Sequence, residues 1–177
     1  MTPNDDLALL RRALDQLSEL LVAAHPEASG DPTPCVEWTV GDLVDHIVAT
    51  PERFARMVRG TPIDWSAPTP AAGENPAGAF RAQADDLLAA WEQRDESADP
   101  PGIDWQCGEL AVHTWDLATA LNRSTRELDP EVAERGLAFM RDNLTPENRG
   151  PAFGPDQVAP DDADAYQRIA AFAGRSV

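Results

Sequence analysis

With 177 residues, the chain is long enough for one folded domain, and its formal net charge of −17 argues against nucleic acid or a membrane surface as a partner. Apolar residues make up 42% and charged residues 25%, as in a globular protein. The sequence contains no lysine, which excludes both Schiff-base chemistry and a Walker-type phosphate loop. We expect residues 1–177 to form a single domain.

The cellular location is predicted from the N-terminal segment and the cysteines. No apolar stretch is long enough to cross a bilayer, and the acidic N-terminal segment lacks the basic and apolar regions of a secretory signal, so we expect a cytoplasmic protein. Two cysteines are too few for a disulfide framework. We expect Cys35 and Cys107 to be small buried residues rather than ligands or nucleophiles.

The first predicted helix shows leucines at helical spacing from Leu7 onward. Asn4 or Asp5 is its expected N-cap. The helix should run to about Ala24, because Pro26 opens a loop rich in proline and glycine.

The second predicted helix opens at Thr39, with Asp42 placed to complete a capping box, and ends at Gly60. Its core-facing stripe consists of Leu43, Ile47, Phe54 and Val58.

Later helices are marked by proline at the first helical position or by apolar periodicity. The third helix should start at Asn75-Pro76, and the fourth should span roughly residues 107–121. The fifth should start at Asp129-Pro130, and a short sixth helix is expected at about residues 162–173. No stretch alternates apolar and polar residues as a strand would. The sequence therefore predicts an all-α fold, a four-helix bundle with one or two additional short helices.

Three histidines are the first candidates for chemistry. His25 precedes a proline in the first loop, where we expect it to be exposed. His46 and His113 lie inside amphipathic helices near the core-facing side. A histidine in such a position is more often a hydrogen-bonded core residue than a metal ligand.

The spacing of Glu109 and His113 favours a metal site. Residues four apart project from the same helix face, so this carboxylate and imidazole can share one ion, although such pairs also occur as plain surface contacts. His46, from another helix, would add a third bond. Three nitrogen and oxygen ligands with one open position are typical of a catalytic zinc site.

Two motifs carry a resemblance to a known family. Residues 33–46 read TPCVEWTVGDLVDH and residues 109–118 read ELAVHTWDLA. Both resemble the actinobacterial DinB-like proteins related to the N-terminal domain of mycothiol-dependent maleylpyruvate isomerase. The pattern from Asp162-Ala163-Asp164 to Gly174-Arg175 is similar as well.

The resemblance implies a four-helix bundle that binds zinc, or nickel or another divalent ion, through His46, Glu109 and His113. It also implies mycothiol as a co-substrate and the transfer or isomerisation of a small electrophile. Because the sequence ends at Val177, we expect it to lack the further domain of the full isomerase, which leaves the isomerase reaction itself open.

Three hypotheses follow for the function. The first is a metal-dependent thiol transferase or isomerase, and the second is a non-catalytic metal-binding bundle with a stress-response or interaction role. The third is a plain bundle in which His46 and His113 are core residues. A homodimer through an apolar helix face stays open. Because metal binding needs neutral imidazoles, we expect the affinity to drop as the pH falls through roughly 6.

Several side chains near the two motifs have open roles. Asp42 or Asp116 would orient a ligand imidazole, or would be a solvated helix carboxylate. Tryptophans beside the motifs either wall the pocket or pack in the core; they are Trp38, Trp105 and Trp115. Arginines along the second helix either guide an anionic substrate or offset nearby acids; they are Arg53, Arg56 and Arg59.

Overall fold

The computed structural model describes residues 3–36, 38–64, 66–94, 102–149 and 153–177. Within these ranges the chain forms the helices α1 (Pro3–Ala23), α2 (Val40–Val58), α3 (Pro76–Gln93), α4 (Ile103–Ala120), α5 (Pro130–Asn143) and α6 (Ala165–Phe172), with a 3₁₀ turn at Pro26–Ala28. The described ranges contain no strand beyond one isolated bridge between Pro32 and Thr39. The prediction of an all-α fold is confirmed.

The first four helices form a bundle in which α1 and α2 each contact both α3 and α4. The two later helices, α5 and α6, pack against α4 and against each other. Buried apolar side chains from all six helices form one cluster. No helix in the described ranges is long and apolar enough to cross a membrane.

Local sequence signals set most helix ends. Thr39 and Asp42 form the predicted capping box of α2, in which the Thr39 hydroxyl accepts from the Asp42 amide and the Asp42 carboxylate accepts from the Thr39 amide. Asn75 and Asp129 cap α3 and α5, each before a proline. Gly60 follows α2 with a φ of 66°, a left-handed conformation that glycine adopts without strain.

Two predicted starts were wrong. The first helix already begins at Pro3, so Asn4 and Asp5 lie in its first turn rather than at the N-cap. The fourth begins at Ile103, one turn before Cys107. Asp104 favours this earlier start because an acidic side chain in the first turn suits the helix dipole.

The central element is α4, which contacts α1, α2, α5 and α6. Every residue from Gln106 to Ala118 is buried except Glu109. Because neighbouring helices surround α4, it buries residues on all sides, including polar ones: Gln106, His113, Thr114 and Asp116. Glu109 is therefore the one side chain in the middle of α4 that reaches toward solvent.

Candidate metal centre

His46, Glu109 and His113 converge between α2 and α4. One carboxylate oxygen of Glu109, Oε1, lies 3.2 Å from His46 Nε2 and 3.3 Å from His113 Nε2. The three ligand atoms lie within 4.8 Å of one another, and the two imidazole centroids are 4.7 Å apart. The side chains expose 18%, 25% and 10% of their surface respectively, so the cluster is at the edge of the core.

The spacing of these donors fits a divalent ion. Two ligand atoms each about 2.1 Å from a tetrahedral ion are separated by about 3.4 Å, which matches both contacts of Glu109. The donor set is two imidazoles and one carboxylate, and solvent reaches it on the side of His46 and Glu109. The third pair, the two imidazole nitrogens, lies within 4.8 Å.

Asp116 orients His113 from behind. Its Oδ2 lies 3.1 Å from His113 Nδ1 and is fully buried. An ionised carboxylate only accepts hydrogen bonds, so Nδ1 carries a proton, and Nε2, on the side of Glu109, is the nitrogen left to bind a metal ion once it loses its own proton. Of the two carboxylates proposed for this role, Asp42 is instead exposed in the capping box at Thr39.

The charges of the cluster shift its protonation. Burial alone would lower the pKa of His113, but hydrogen bonds and charge from Asp116 and Glu109 outweigh it and raise the pKa to about 9. Burial would raise the pKa of Glu109, but His113 and His46 hold it well below its usual range. At His46 the burial prevails and lowers the pKa. Without metal, the cluster therefore contains an imidazolium at His113 and a carboxylate at Glu109.

Arg175 completes the buried side of the centre, although neither spacing nor periodicity predicts a role for it. Its Nε and Nη2 donate to the two oxygens of Asp116 at 3.2 and 3.1 Å, and Nη2 also lies 3.7 Å from Cys35 Sγ. The only signal in the sequence was its place in the C-terminal pattern.

The three tryptophans have different environments. The ring of Trp38 lies 4.8 Å from that of His46 and 6.0 Å from that of His113, so Trp38 walls the site. Trp105 packs edge-on against Phe54 with centroids 5.0 Å apart, and Trp115 is buried in the core. Of these three tryptophans, Trp38 lines the site as one of the two alternatives expected, and the other two pack in or against the core.

The arginines along α2 divide in a similar way. Arg59 pairs with both carboxylate oxygens of Asp86, and Arg56 lies 3.8 Å from Glu52, so these two offset acids. Arg53 donates to the Thr69 hydroxyl and its charge acts on His46.

Neither cysteine is suited to be a nucleophile. Burial is the main cause that raises the pKa of Cys35 to about 11 and that of Cys107 to about 12. Both thiols are therefore protonated near neutral pH and poorly reactive. Cys107 is buried as predicted, whereas Cys35 is only half-buried. His25 is exposed, as predicted.

Comparison with known proteins supports the resemblance seen in the motifs. The family profile described as mycothiol maleylpyruvate isomerase N-terminal domain matches residues 10–118. Two uncharacterized proteins of Mycobacterium tuberculosis, one from strain CDC 1551 and one from strain H37Rv, are each 34% identical over 186 residues. Each alignment covers 98% of this chain and 99% of the relative. No solved structure matches the chain significantly.

Proposed function

Because the chain belongs to the mycothiol maleylpyruvate isomerase N-terminal domain family, we propose that it is a metal-dependent thiol transferase or isomerase. His46, Glu109 and His113 bind the divalent ion, for which zinc is the first candidate, and mycothiol is the thiol. The observation that supports this proposal most directly is the convergence of the three donors at a solvent-accessible edge of the core.

The chemistry follows from the residues around the site. A divalent ion held there would lower the pKa of a thiol bound beside it, so that the thiolate forms at neutral pH. Since Cys35 and Cys107 are both protonated near neutral pH, neither is suited to supply the thiolate, and the proposed thiol is that of a small molecule. Asp116 keeps His113 in the tautomer that binds metal, and Trp38 shields one side of the site from water.

The metal content of the purified protein is the first test. Protein purified without chelator should contain about one divalent ion per chain, since the three donors form one site. The same preparation of a His46→Ala variant should contain much less. Wild-type protein that takes up no stoichiometric zinc, nickel or cobalt would favour the plain bundle with core histidines.

A thiol assay then separates the enzyme from a non-catalytic metal-binding protein. Metal-loaded protein is incubated with mycothiol and a panel of small electrophiles, including maleylpyruvate. We expect thiol consumption or isomerisation above the level of His46→Ala. Metal-loaded protein that gives the same rates as this variant with every electrophile would support the non-catalytic hypothesis.

The pH dependence of metal binding should depart from that of ordinary histidines. In the metal-free protein His113 keeps a proton up to a pKa of about 9, whereas the lowered pKa values of His46 and Glu109 leave them unprotonated at pH 7. An ion must displace that one proton, so the affinity should rise about tenfold per pH unit from roughly pH 7 to 9. The affinity should therefore change with pH in a higher range than the value of roughly 6 expected from the sequence.

Calorimetric titrations at pH 7 in buffers of different ionisation enthalpy measure the displaced proton directly. We expect about one proton released per ion, because His113 alone must lose one. A value near zero, or an affinity that is constant above pH 7, would contradict the raised pKa of His113.

A further inference from the structure

We propose that Arg175 is a positioning residue of the metal centre, which acts on His113 through Asp116. This inference rests on the proposed metal site but concerns a residue outside the stretch that the family profile matches, residues 10–118. It assigns a role to the C-terminal Gly174-Arg175 pair, which the function proposed above does not use.

The turn that follows α6 positions Arg175 at the site. Gly174 has a φ of 92°, and the amides of Gly174 and Arg175 donate back to the carbonyls of Ala171 and Ala170. This is a Schellman motif, which reverses the chain direction directly after a helix. A Cβ atom at Gly174 would lie 2.6 Å from the Cα of Gly154, so both the conformation and the space require glycine here.

Arg175 forms a bidentate, hydrogen-bonded ion pair with both carboxylate oxygens of Asp116. Nε donates to Oδ1 at 3.2 Å and Nη2 to Oδ2 at 3.1 Å, with Arg175 only 7% exposed and Asp116 fully buried. The same Oδ2 accepts from His113 Nδ1 at 3.1 Å. Two parallel bonds fix the plane of the carboxylate, and that plane fixes the direction of the bond to His113.

The charge of Arg175 also keeps Asp116 ionised. Burial alone would raise the pKa of this carboxyl, but His113 and Arg175 together lower it. Once a metal binds, His113 is neutral, and Arg175 is then the cation that faces Asp116. The guanidinium therefore balances the charge of this buried carboxylate as well as fixing its plane.

Arg175 joins the C-terminal segment to two other parts of the site. Nη1 donates to the carbonyl of Ala173, while Nη2 reaches Cys35 Sγ in the loop that leads to Trp38. One guanidinium thus contacts Asp116 in α4, Ala173 in the turn after α6, and Cys35 in the segment before α2.

The test measures zinc affinity by chelator competition for Arg175→Gln and Arg175→Lys. Loss of an outer partner of a ligand histidine typically weakens metal binding about 10- to 100-fold. Asp116 is that partner and Arg175 acts through it, so for Arg175→Gln we expect the lower end of this range, about tenfold. Arg175→Lys keeps the charge but not the fork, so its affinity should lie between those of wild type and Arg175→Gln. Cobalt-loaded Arg175→Gln should also show altered visible absorption bands, because the geometry of His113 changes.

Arg168→Gln serves as the matched control, since Arg168 is also in α6 but donates to the carbonyl of Ala163 rather than to a residue of the centre. It should bind zinc like wild type. A double-mutant cycle with Asp116→Asn adds a second measurement: once Asp116 is changed, Arg175→Gln should weaken zinc binding little further, because its effect passes through that carboxylate.

The outcomes distinguish the two proposals. The positioning role would be overturned, and the metal site left intact, if wild type binds zinc and a folded Arg175→Gln variant binds it within about threefold of the wild-type affinity. Losses in Arg175→Gln and Asp116→Asn that simply add would also overturn it. Wild type that binds no zinc would overturn the metal site and this inference together. If Arg175→Gln fails to fold, the comparison of Arg175→Lys with wild type decides in the same way.

Discussion

A His113→Ala variant should lose stoichiometric metal binding altogether. The substitution removes one of three protein ligands, so the loss of affinity should exceed the roughly 100-fold that removal of an outer hydrogen-bond partner costs. His113 is also the ligand held most firmly, through Nδ1 to the buried Asp116. Zinc affinity measured with a competing chelator is the readout.

The third histidine provides the control. His25→Ala is the same substitution at an exposed residue outside the cluster, and it should leave zinc affinity unchanged. His46→Ala removes a ligand that exposes 18% of its side chain, so it should lose metal while the metal-free fold changes less than in His113→Ala. Retention of near-wild-type affinity in both ligand variants would rule out the site.

The metal-free protein offers an independent readout of His113. Because its pKa is raised to about 9, its interactions stabilise the fold fully below the unfolded value of about 6.5. This contribution is lost as the pH rises through 9. Urea unfolding of chelator-treated protein should therefore show stability falling across this interval in wild type. The fall should be much smaller in His113→Ala.

The sequence predicted those features of the molecule that depend on neighbours along the chain. The capping box of α2 and the Asn75 and Asp129 caps involve residues within three positions of each other, and their chemistry is local. Glu109 and His113 share a helix face for the same reason. Tertiary packing has little influence on such pairs, so the sequence pattern was sufficient.

The sequence alone was not sufficient where distant segments meet. His46 lies 63 positions before Glu109, and only the family resemblance joined them. Asp42 and Asp116 each stand within one turn of a histidine, and spacing did not choose between them. The structure shows the difference: Asp42 is engaged by Thr39 at the helix start, whereas Asp116 is enclosed with Arg175. Arg175 reaches α4 from the C-terminal end of the chain, which no periodicity indicates.

The contact between α4 and α5 explains why a small change on α5, which supplies none of the three ligands, should have a large effect. Gly108 and Gly136 face each other where the two helices approach. A Cβ atom added at Gly136 would lie 2.5 Å from Gly108 Cα and 3.1 Å from Ile169 Cδ1. A Cβ atom added at Gly108 would lie 3.5 Å from Gly136, at ordinary contact distance.

Gly136→Ala and Gly108→Ala should therefore change the stability of the protein in different directions, although both replace a glycine inside a helix. Alanine at either position gains helix propensity, about 1 kcal/mol. At Gly136 the clash involves backbone atoms of α4, so the helices must separate, and overpacking of this kind costs about 1–3 kcal/mol or more. We expect the free energy of unfolding to fall by up to about 2 kcal/mol in Gly136→Ala and to stay level or rise in Gly108→Ala.

Chemical denaturation of the metal-free proteins measures both values. Because Gly108 directly precedes Glu109, a displaced α4 also moves this carboxylate relative to His46, so Gly136→Ala should bind zinc more weakly than Gly108→Ala. Equal stabilities would mean that the helices separate without cost. Unchanged zinc binding in a destabilised Gly136→Ala would show instead that the centre is insulated from the α4–α5 contact, with α2 following α4 as it moves.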